Sequence, residues 1–320
     1  MKQLPIIDLI ADQLERVEEK LREPDPTRHS AINLAVDHLL GGGKRVRPAV
    51  VLLTCGMLKA DFDSAVNLAA AVEMLHTATL VHDDVIDGSM VRRGIPTLNA
   101  NWSDGATILT GDYFFARAAD LAAQTNNVVV MRLFARALMT ICNGELRQMF
   151  TSNGITIDRD EYIERIFAKT GALFVLSTEA TSVLAGASSP AQQSLYSFGR
   201  ELGIAFQIVD DLLDFVGSQD RVGKPLGSDL AQGLITLPTL LYLEDNPGDE
   251  LTLKILRGEH TPSDLSQALH QIRESSAIDR TREEAARHVK LAKQELESFD
   301  DNPYHQALHQ VADLAVLRDF

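Results

Sequence analysis

Apolar residues recur at three- and four-residue spacing through almost the whole chain, a spacing typical of amphipathic helices. Runs that alternate apolar with polar residues, as half-buried strands do, are scarce, so we predict no sheet. Residues after about 245 carry no motif, and we interpret them as peripheral packing helices. The predicted helical windows span 4–21, 27–40, 47–58, 63–86, 106–123, 128–150, 159–185, 190–216, 230–243 and 278–297.

Glycine and proline cluster between these windows, and they predict loops at 41–43, 88–105 and 220–229. A chain of 320 residues is long enough for two domains. However, no linker rich in serine or proline and no low-complexity tract divides it. We therefore expect one large all-α domain that covers residues 1–320.

Charge and hydropathy restrict the partners. The chain has 45 acidic residues against 30 lysines and arginines, a net charge of −15 that would oppose binding to duplex DNA. No stretch reaches the about 18 uncharged apolar residues of a membrane span, and residues 1–21 lack the apolar core of a signal peptide. We therefore expect a cytoplasmic protein without a nucleic-acid partner or a membrane span. The two cysteines, Cys55 and Cys142, lie in apolar windows and are expected to be buried thiols.

Two aspartate clusters lie near the ends of two apolar windows. In each, the first and last aspartates are four residues apart and share a helix face, while the middle one is offset by about 100°. Like charges here oppose each other and the helix dipole, so a cation is needed, although a solvated acidic face would explain either cluster alone. Oxygen ligands beside a phosphate suit Mg²⁺. The clusters are Asp83, Asp84 and Asp87, and Asp210, Asp211 and Asp214.

Basic residues stand near these clusters or at the start of a helix. Lys44 and Arg47 follow three glycines, where backbone N–H groups and two cations would suit a phosphate. No serine or threonine follows Lys44, so this is not a P-loop. His76 lies two turns before Asp83 on the same helix face, although a lone histidine is more often structural. The other candidate cations are Arg92, Arg93, Lys169 and Lys224.

Five motifs occur in one order over about residues 40–240. They are Gly42-Gly-Lys-Arg-Val-Arg-Pro48, His82-Asp-Asp-Val-Ile-Asp87 with Arg-Arg-Gly94 four residues later, Lys169-Thr170, Phe206-Gln-x-x-Asp-Asp-x-x-Asp214, and Gly223-Lys-Pro-Leu-Gly-Ser-Asp229. Each motif is weak alone, but the ordered set resembles the trans-isoprenyl diphosphate synthases, the polyprenyl synthetase family. The resemblance implies an isoprenoid synthase fold: a single helical bundle around a central cavity, with the two aspartate motifs facing each other across its mouth. It also implies a homodimer.

The resemblance assigns roles residue by residue. It implies that Asp83, Asp87 and Asp210 bind Mg²⁺, supported by Asp84, Asp211 and Asp214. Isopentenyl diphosphate would bind to Lys44, Arg47, His76 and Arg93. The allylic diphosphate would bind to Arg92, Lys169, Thr170, Gln207 and Lys224. The six aspartates, Arg92 and Lys169 would assist the departure of the diphosphate, and the allylic cation would then be attacked by isopentenyl diphosphate.

One position departs from the family pattern. Members often carry a lysine in a Gly-Lys-x-Thr-Leu-Pro string, whereas this chain reads Gly233-Leu-Ile-Thr-Leu-Pro238. With Leu234 in the lysine place, one contact to the allylic diphosphate is expected to be missing.

Product length is suggested by the residues one turn before the first cluster. In short-chain members of the family an aromatic residue near this place closes the tunnel, whereas this chain has Ala78 and Thr79. Small side chains there favour a long-chain polyprenyl product. The alternative is a geranylgeranyl product, with a deeper plug from Met74, Leu75, Phe134 or Met139.

Three other functions fit parts of the sequence. A class I terpene cyclase shares the first motif, but it would normally replace the second with an Asn/Ser/Glu-type metal triad. A di-iron bundle would need two Glu-x-x-His motifs, and only Glu73-x-x-His76 is present. A regulatory subunit without activity would be expected to have degraded aspartate motifs, and here both are whole.

Overall fold

The computed structural model describes residues 5–92, 94–151, 157–217 and 226–317, most of which are helical, so the all-α prediction is confirmed. The helices up to residue 151 are α1 (Pro5–Asp8), α2 (Ala11–Arg22), α3 (Ser30–Leu40), α4 (Val46–Met57), α5 (Phe62–Ile86), a 3₁₀ turn (Leu98–Ala100), α6 (Asp104–Ala123) and α7 (Val128–Thr151). The later ones are α8 (Arg159–Ile166), a π-helical turn (Phe167–Gly171), α9 (Ala172–Leu184), α10 (Ser189–Val216), α11 (Ser228–Ala231), α12 (Leu237–Asp245), α13 (Glu250–Leu256), α14 (Pro262–Glu274), α15 (Ala277–Leu296) and α16 (Pro303–Val316).

Polar side chains fix the starts of the helices that matter for the candidate site. Asp61 accepts a hydrogen bond from the Asp63 N–H before α5, and Ser103 accepts one from the Ala106 N–H before α6. Asp158 accepts from two N–H groups at the start of α8. Each cap satisfies donors that have no partner inside the helix, and so it sets where the helix begins.

The predicted window 230–243 contains two helices rather than one. Gly233 has φ of +77°, a left-handed conformation that ends α11. A Cβ at this position would lie 2.9 Å from the carbonyl oxygen of Leu256, so the chain passes close to another backbone here. The second helix, α12, begins after Thr236 with a proline in its first turn.

A small hairpin corrects the prediction that the chain has no sheet. Strand β1 (Val91–Arg92) pairs antiparallel with strand β2 (Ile95–Pro96), with Val91 opposite Pro96. Each strand has only two residues, which is too short for an alternating pattern to show in the sequence. Gly94, with φ of +77°, lies in the connecting turn.

The chain divides into two compact units, each discontinuous in sequence. The first unit comprises Met1–Ala137, Leu173–Gly199 and Glu295–Val311, and the second comprises Leu138–Ala172, Arg200–Gln294 and Ala312–Phe320. Several boundaries fall inside helices, including α7, α10 and α15. The expectation of a single domain over 1–320 stays a prediction.

Helix α5 is the core of the first unit. It packs against α6 most extensively, and also against α4 and α2. Its residues from Ala65 to Ala78 are almost all buried. By length and composition α5 is the one helix among the described residues that could cross a membrane, but 72% of its most apolar window is buried inside the protein.

The second unit has its own apolar core, built from α8, the second half of α10, α12, α14 and α15. Its members include Tyr162, Ile208, Leu212, Phe215, Leu240, Leu243 and Ile272. This core surrounds the helix that carries the second aspartate cluster.

The two cysteines differ in environment, which corrects the expectation that both are buried. Cys55 on α4 is 1% exposed, and burial, reinforced by Asp61, raises the pKa of its thiol to about 12. Cys142 on α7 is exposed. Helix α7 also exposes Met139, Leu146 and Met149. Its apolar residues are therefore not all buried, which is why the apolar window around Cys142 gave a wrong prediction.

Candidate active site

The first aspartate cluster lies at the end of α5 in the first unit. Asp83 is half-buried, Asp84 is 3% exposed, and Asp87 is exposed. Asp87 caps α5, and its N–H donates to the carbonyl of Asp83 at 2.8 Å. The buried middle carboxylate is the one offset around the helix from the other two, as helical geometry requires.

Arg92 holds the buried carboxylate of this cluster. Its Nε donates to Oδ1 of Asp84 at 2.8 Å. Burial raises the pKa of Asp84, and the nearby charge of Asp87 raises it further. The Arg92 guanidinium lowers it and so opposes both effects. Asn99 donates to the carbonyls of Asp84 and Ser89, so the chain after α5 is attached to the end of the helix. Arg92 is therefore fixed through one nitrogen, which leaves its other donors available for an anion.

The glycine-rich segment before α4 is anchored by a residue that sequence analysis did not single out. Arg45 takes a left-handed conformation and donates to Glu18, to Glu73 at 2.9 Å and to the Leu40 carbonyl at 2.8 Å. Its two neighbouring cations differ: Lys44 is exposed, whereas Arg47 is buried with its guanidinium 5.0 Å from the ring centre of Phe174. The structural role of Arg45 is visible only from its ion pairs with Glu18 and Glu73, which are far from it in sequence.

The other predicted residues of the first unit lie along α5. His76 is half-buried, and its carbonyl accepts a hydrogen bond from Thr79 Oγ1 at 2.8 Å. Ala78, predicted to bear on product length, is fully buried, and Thr79 is half-buried.

His82, beside the first cluster, is held against α6. Its Nε2 lies 3.3 Å from the Ile108 carbonyl and 3.4 Å from Oδ1 of Asp112, and its ring stacks on Phe115 with centroids 5.0 Å apart. A Cβ at Gly111 would lie 2.6 Å from this ring, so α6 has a glycine where the histidine packs. Sequence analysis missed this contact, because no local pattern relates positions 82 and 111.

The second aspartate cluster lies on α10 in the second unit. Asp210 is exposed, while Asp211 and Asp214 are 4% and 1% exposed. Asp214 accepts from Ser228 Oγ at 2.9 Å and from the Asp229 N–H at 3.1 Å. Its carboxylate therefore holds the start of α11.

Asp211 is the buried centre of a hydrogen-bond chain. Tyr162 OH donates to its Oδ2 at 2.8 Å, and Gln207 Nε2 donates to its Oδ1 at 2.8 Å. Burial, together with Asp229, raises the pKa of Asp211 to about 7, and both hydrogen bonds oppose this rise. Thr170 Oγ1 donates to Oε1 of Gln207 at 2.6 Å, which extends the chain to the predicted Lys169-Thr170 pair.

Lys169 and Thr170 lie in the π-helical turn between α8 and α9. The N–H of Ala172 donates to the carbonyl of Phe167, five residues earlier, so this turn contains one residue more than an α turn. The turn leaves Lys169 exposed and Thr170 buried. Such turns occur often at functional sites, because they present neighbouring side chains in directions that a regular helix does not offer.

A sequence model of the family described as polyprenyl synthetase matches residues 29–272, most of the chain. The chain belongs to the polyprenyl synthetase family. It is therefore an isoprenyl diphosphate synthase, and the resemblance and the predicted enzyme class are confirmed.

This polyprenyl synthetase is similar to curated relatives along nearly its whole length. It is 35% identical over 317 residues to heptaprenyl diphosphate synthase component 2 of Geobacillus stearothermophilus, covering 99% of this chain and 98% of the relative. It is 33% identical to octaprenyl diphosphate synthase of Escherichia coli, with 87% of each chain covered.

Solved structures share the fold of the polyprenyl synthetase. The polyprenyl synthase of Caulobacter crescentus, complexed with calcium and isoprenyl diphosphate, has a TM-score of 0.91 at 37% identity, with 98% of this chain and 97% of that chain covered. A decaprenyl diphosphate synthase of Rhodobacter capsulatus has a TM-score of 0.90 at 35% identity, with 98% of both chains covered. The isoprenoid synthase fold is thereby confirmed.

Arg93 and Lys224 lie outside the described residues. Leu234, in the place of the usual lysine, is half-buried, and its N–H donates to the Asp229 carbonyl at 2.9 Å.

The carboxylates of the polyprenyl synthetase fit a hard divalent cation. Within residues 5–92, 94–151, 157–217 and 226–317, no group of three or more His, Cys, Asp or Glu side chains is already arranged around a common metal position. Asp84 and Asp211, the middle residues, are bonded to protein donors. Their more exposed neighbours Asp83, Asp87 and Asp210 present the oxygen ligands that Mg²⁺ or Ca²⁺ prefers.

Proposed function

We propose that this polyprenyl synthetase condenses isopentenyl diphosphate with an allylic diphosphate and repeats the reaction to make a long-chain polyprenyl diphosphate. One observation carries the proposal: each cluster has a buried middle carboxylate bonded to a protein donor and at least one more exposed carboxylate beside it. A purely structural acidic helix end would not need this division twice. It is the arrangement expected where protein donors orient a cluster that binds cations.

In this proposal Asp83, Asp87 and Asp210 hold Mg²⁺, with Asp84, Asp211 and Asp214 behind them. Bound Mg²⁺ supplies charge neutralisation to the departing diphosphate. Arg92, Lys169, Thr170, Gln207 and Lys224 orient the allylic diphosphate. Lys44, Arg47, His76 and Arg93 hold isopentenyl diphosphate.

The reaction breaks the bond between the allylic carbon and its diphosphate oxygen. The double bond of isopentenyl diphosphate attacks the resulting cation, and the new carbon–carbon bond moves the positive charge to the neighbouring carbon. Loss of a proton, which the departing diphosphate accepts, forms the new double bond. The cationic side chains stabilise the leaving group, and apolar helix walls exclude water that would trap the cation.

The absence of an aromatic side chain one turn before Asp83 supports a long product. Ala78 is small and fully buried, and Thr79 is small and half-buried. The names of several relatives, such as the octaprenyl diphosphate synthase of Escherichia coli, also specify long chains. The alternative is a geranylgeranyl product.

Incubation with farnesyl diphosphate, radiolabelled isopentenyl diphosphate and Mg²⁺, followed by chromatographic sizing, tests the proposal. We expect elongation to products well beyond geranylgeranyl diphosphate, and loss of product when Mg²⁺ is removed with EDTA. Folded protein that elongates nothing would contradict the proposed activity. Products that stop at geranylgeranyl diphosphate would contradict only the length.

The same proposal includes a homodimer in the cytoplasm. Helix α6 exposes two large apolar side chains, Ile108 and Leu109, which are 41% and 68% accessible. Adjacent exposed apolar side chains of this size support an interface with a second copy. The relative called component 2 carries a name that specifies a second component, so a different subunit is the alternative outcome of a size measurement.

A further inference from the structure

A buried hydrogen-bond chain connects α8 with the second aspartate cluster. We call it the Tyr162 relay, and it consists of Tyr162, Asp211, Gln207 and Thr170. Its three hydrogen bonds measure 2.8, 2.8 and 2.6 Å. Tyr162 is 2% exposed, and the resemblance that assigns the other three members assigns nothing to it.

The direction of each hydrogen bond in the relay is determined by chemistry. The Tyr162 hydroxyl donates to one oxygen of Asp211, and the amide nitrogen of Gln207 donates to the other. Because the amide nitrogen of Gln207 donates to Asp211, its amide oxygen is the atom that accepts from Thr170. The loss of one donor would leave a buried carboxylate under-bonded, which is costly in a protein interior.

Two relay members each have an exposed neighbour with a predicted role. Thr170 adjoins Lys169 in the π-helical turn, and Asp211 adjoins Asp210. The backbone that carries Lys169 and the backbone that carries Asp210 are therefore connected through Gln207 and Asp211. Tyr162 is one end of this chain, bonded directly to Asp211 and three hydrogen bonds from Thr170.

We propose that Tyr162 is a positioning residue, whose hydroxyl orients Asp211 and, through Gln207 and Thr170, sets the geometry in which Asp210 and Lys169 bind a magnesium diphosphate. The inference rests on the proposed function, because it assumes that these two side chains bind that group. It adds a residue from outside the five motifs. The hydroxyl acts through its neighbours and does not touch the substrate.

The test is Tyr162→Phe, which keeps the ring and removes only the donor. Tyr242→Phe is the matched control, because Tyr242 is 7% exposed, lies in the same unit and has a different carboxylate, Asp249, near its hydroxyl. We expect Tyr162→Phe to lower kcat about tenfold or more and to raise the half-saturating Mg²⁺ concentration at least about threefold. The KM for isopentenyl diphosphate, whose described contacts belong to the other unit, should stay within about twofold. Tyr242→Phe should leave all three quantities unchanged.

Asp211→Asn completes a double-mutant cycle. If Tyr162 acts through Asp211, the double variant should be no slower than Asp211→Asn alone. Additive losses would overturn the proposal, as would a Tyr162→Phe enzyme within about twofold of the parent in kcat and Mg²⁺ dependence. A Tyr162→Phe protein that is unfolded by circular dichroism would assign the hydroxyl a structural role and overturn it too.

Calorimetry with Mg²⁺ and inorganic diphosphate separates this inference from the proposed function, because it needs no turnover. A parent that binds magnesium diphosphate but elongates nothing would refute the proposed function. Weaker binding by Tyr162→Phe would then still support the relay. Equal binding by parent and variant would overturn the relay even if the parent is active.

Discussion

The middle aspartates, Asp84 and Asp211, are buried and bonded to protein donors, whereas Asp83, Asp87 and Asp210 are more exposed and are proposed to bind cations. Helix geometry places the middle residue of each cluster about 100° from the first aspartate and about 60° from the last, and the sequence predicts that offset. It does not predict the partners: Arg92 comes from the hairpin, and Tyr162 comes from a helix 49 residues away in sequence. The same holds for Arg45 and His82, whose roles depend on Glu18, Glu73 and Gly111.

At this scale, Asp210→Ala should remove a cation ligand without removing a core contact. We expect kcat to fall by about 10³-fold, because the lost charge acts on the departing diphosphate, while the melting temperature stays close to that of the parent. Glu283→Ala, which removes an exposed acid of the same unit, is the control and should retain full activity. An Asp210→Ala enzyme with parental kcat would rule out this residue as a metal ligand.

Ala78→Phe should shorten the product. A phenyl ring at this buried position of α5 would occupy space that we assign to the growing prenyl chain, so elongation should stop earlier. The measurement is the product length on chromatography, with the melting temperature as a check on overpacking of the core. If a folded variant makes products of parental length, the prediction for Ala78 is wrong.

At the scale of elements, helix bounds follow from caps and apolar periodicity where these agree. The predicted windows 63–86 and 190–216 lie within one residue of α5 and α10. Predicted windows and observed helices differ where a local backbone feature interrupts the apolar periodicity. Gly233 divides the window 230–243, and the π-helical turn interrupts 159–185 with no glycine or proline before it to indicate it.

The contact between α5 and α6 gives a matched pair of glycine substitutions. Gly111→Ala would place a methyl group 2.6 Å from the ring of His82, the residue next to Asp83, so the ring must move. We expect a lower melting temperature and lower kcat. Gly105→Ala, on the same helix with no atom within 4 Å of its Cβ, should be stabilising by about 0.5–1 kcal/mol, because alanine restricts the unfolded chain. Thermal melts and steady-state rates of both variants test this, and equal effects would contradict it.

The start of α14 predicts a pH dependence. Asp264 accepts hydrogen bonds from the N–H and the hydroxyl of Thr261 and from Lys254, and these lower its pKa to about 2. A lowered pKa stabilises the fold above the unfolded value of 3.8, and this contribution is lost as the pH falls through about 2. Asp264→Ala should therefore melt below the parent at pH 7, with a difference that shrinks between pH 4 and pH 2. Glu259→Ala, an exposed acid nearby, should show no such convergence, and a constant difference for Asp264→Ala would contradict the cap.

At the scale of the whole molecule, the division into two units leaves no mark in composition. Residues 137 and 138 lie within α7, and residues 199 and 200 lie within α10, so no linker separates the units at either place. A sequence search for linkers therefore has nothing to find. The family was predictable, because it depends on motifs in order along the chain.

The homodimer is a prediction at this scale. Leu109→Glu should place a charge at the exposed apolar pair Ile108 and Leu109 of α6 and convert the dimer into a monomer, measured by light scattering after size exclusion. Leu34→Glu, at an equally exposed leucine of α3, is the control and should leave the mass unchanged. A parent that is already monomeric, or a Leu109→Glu protein that stays dimeric, would exclude this interface.

The π-helical turn also makes the protein sensitive to the deletion of a single residue in this segment. Its five residues, Phe167–Gly171, hold one residue beyond an α-helical turn. Deleting Phe167, Ala168 or Lys169 would restore regular α-helical bonding and look harmless in an alignment. It would also rotate α8 by about 100° relative to the residues on the C-terminal side of the deletion. Tyr162 and Thr170 would then lie on different faces, so a single lost codon should be as damaging here as the loss of an active-site side chain.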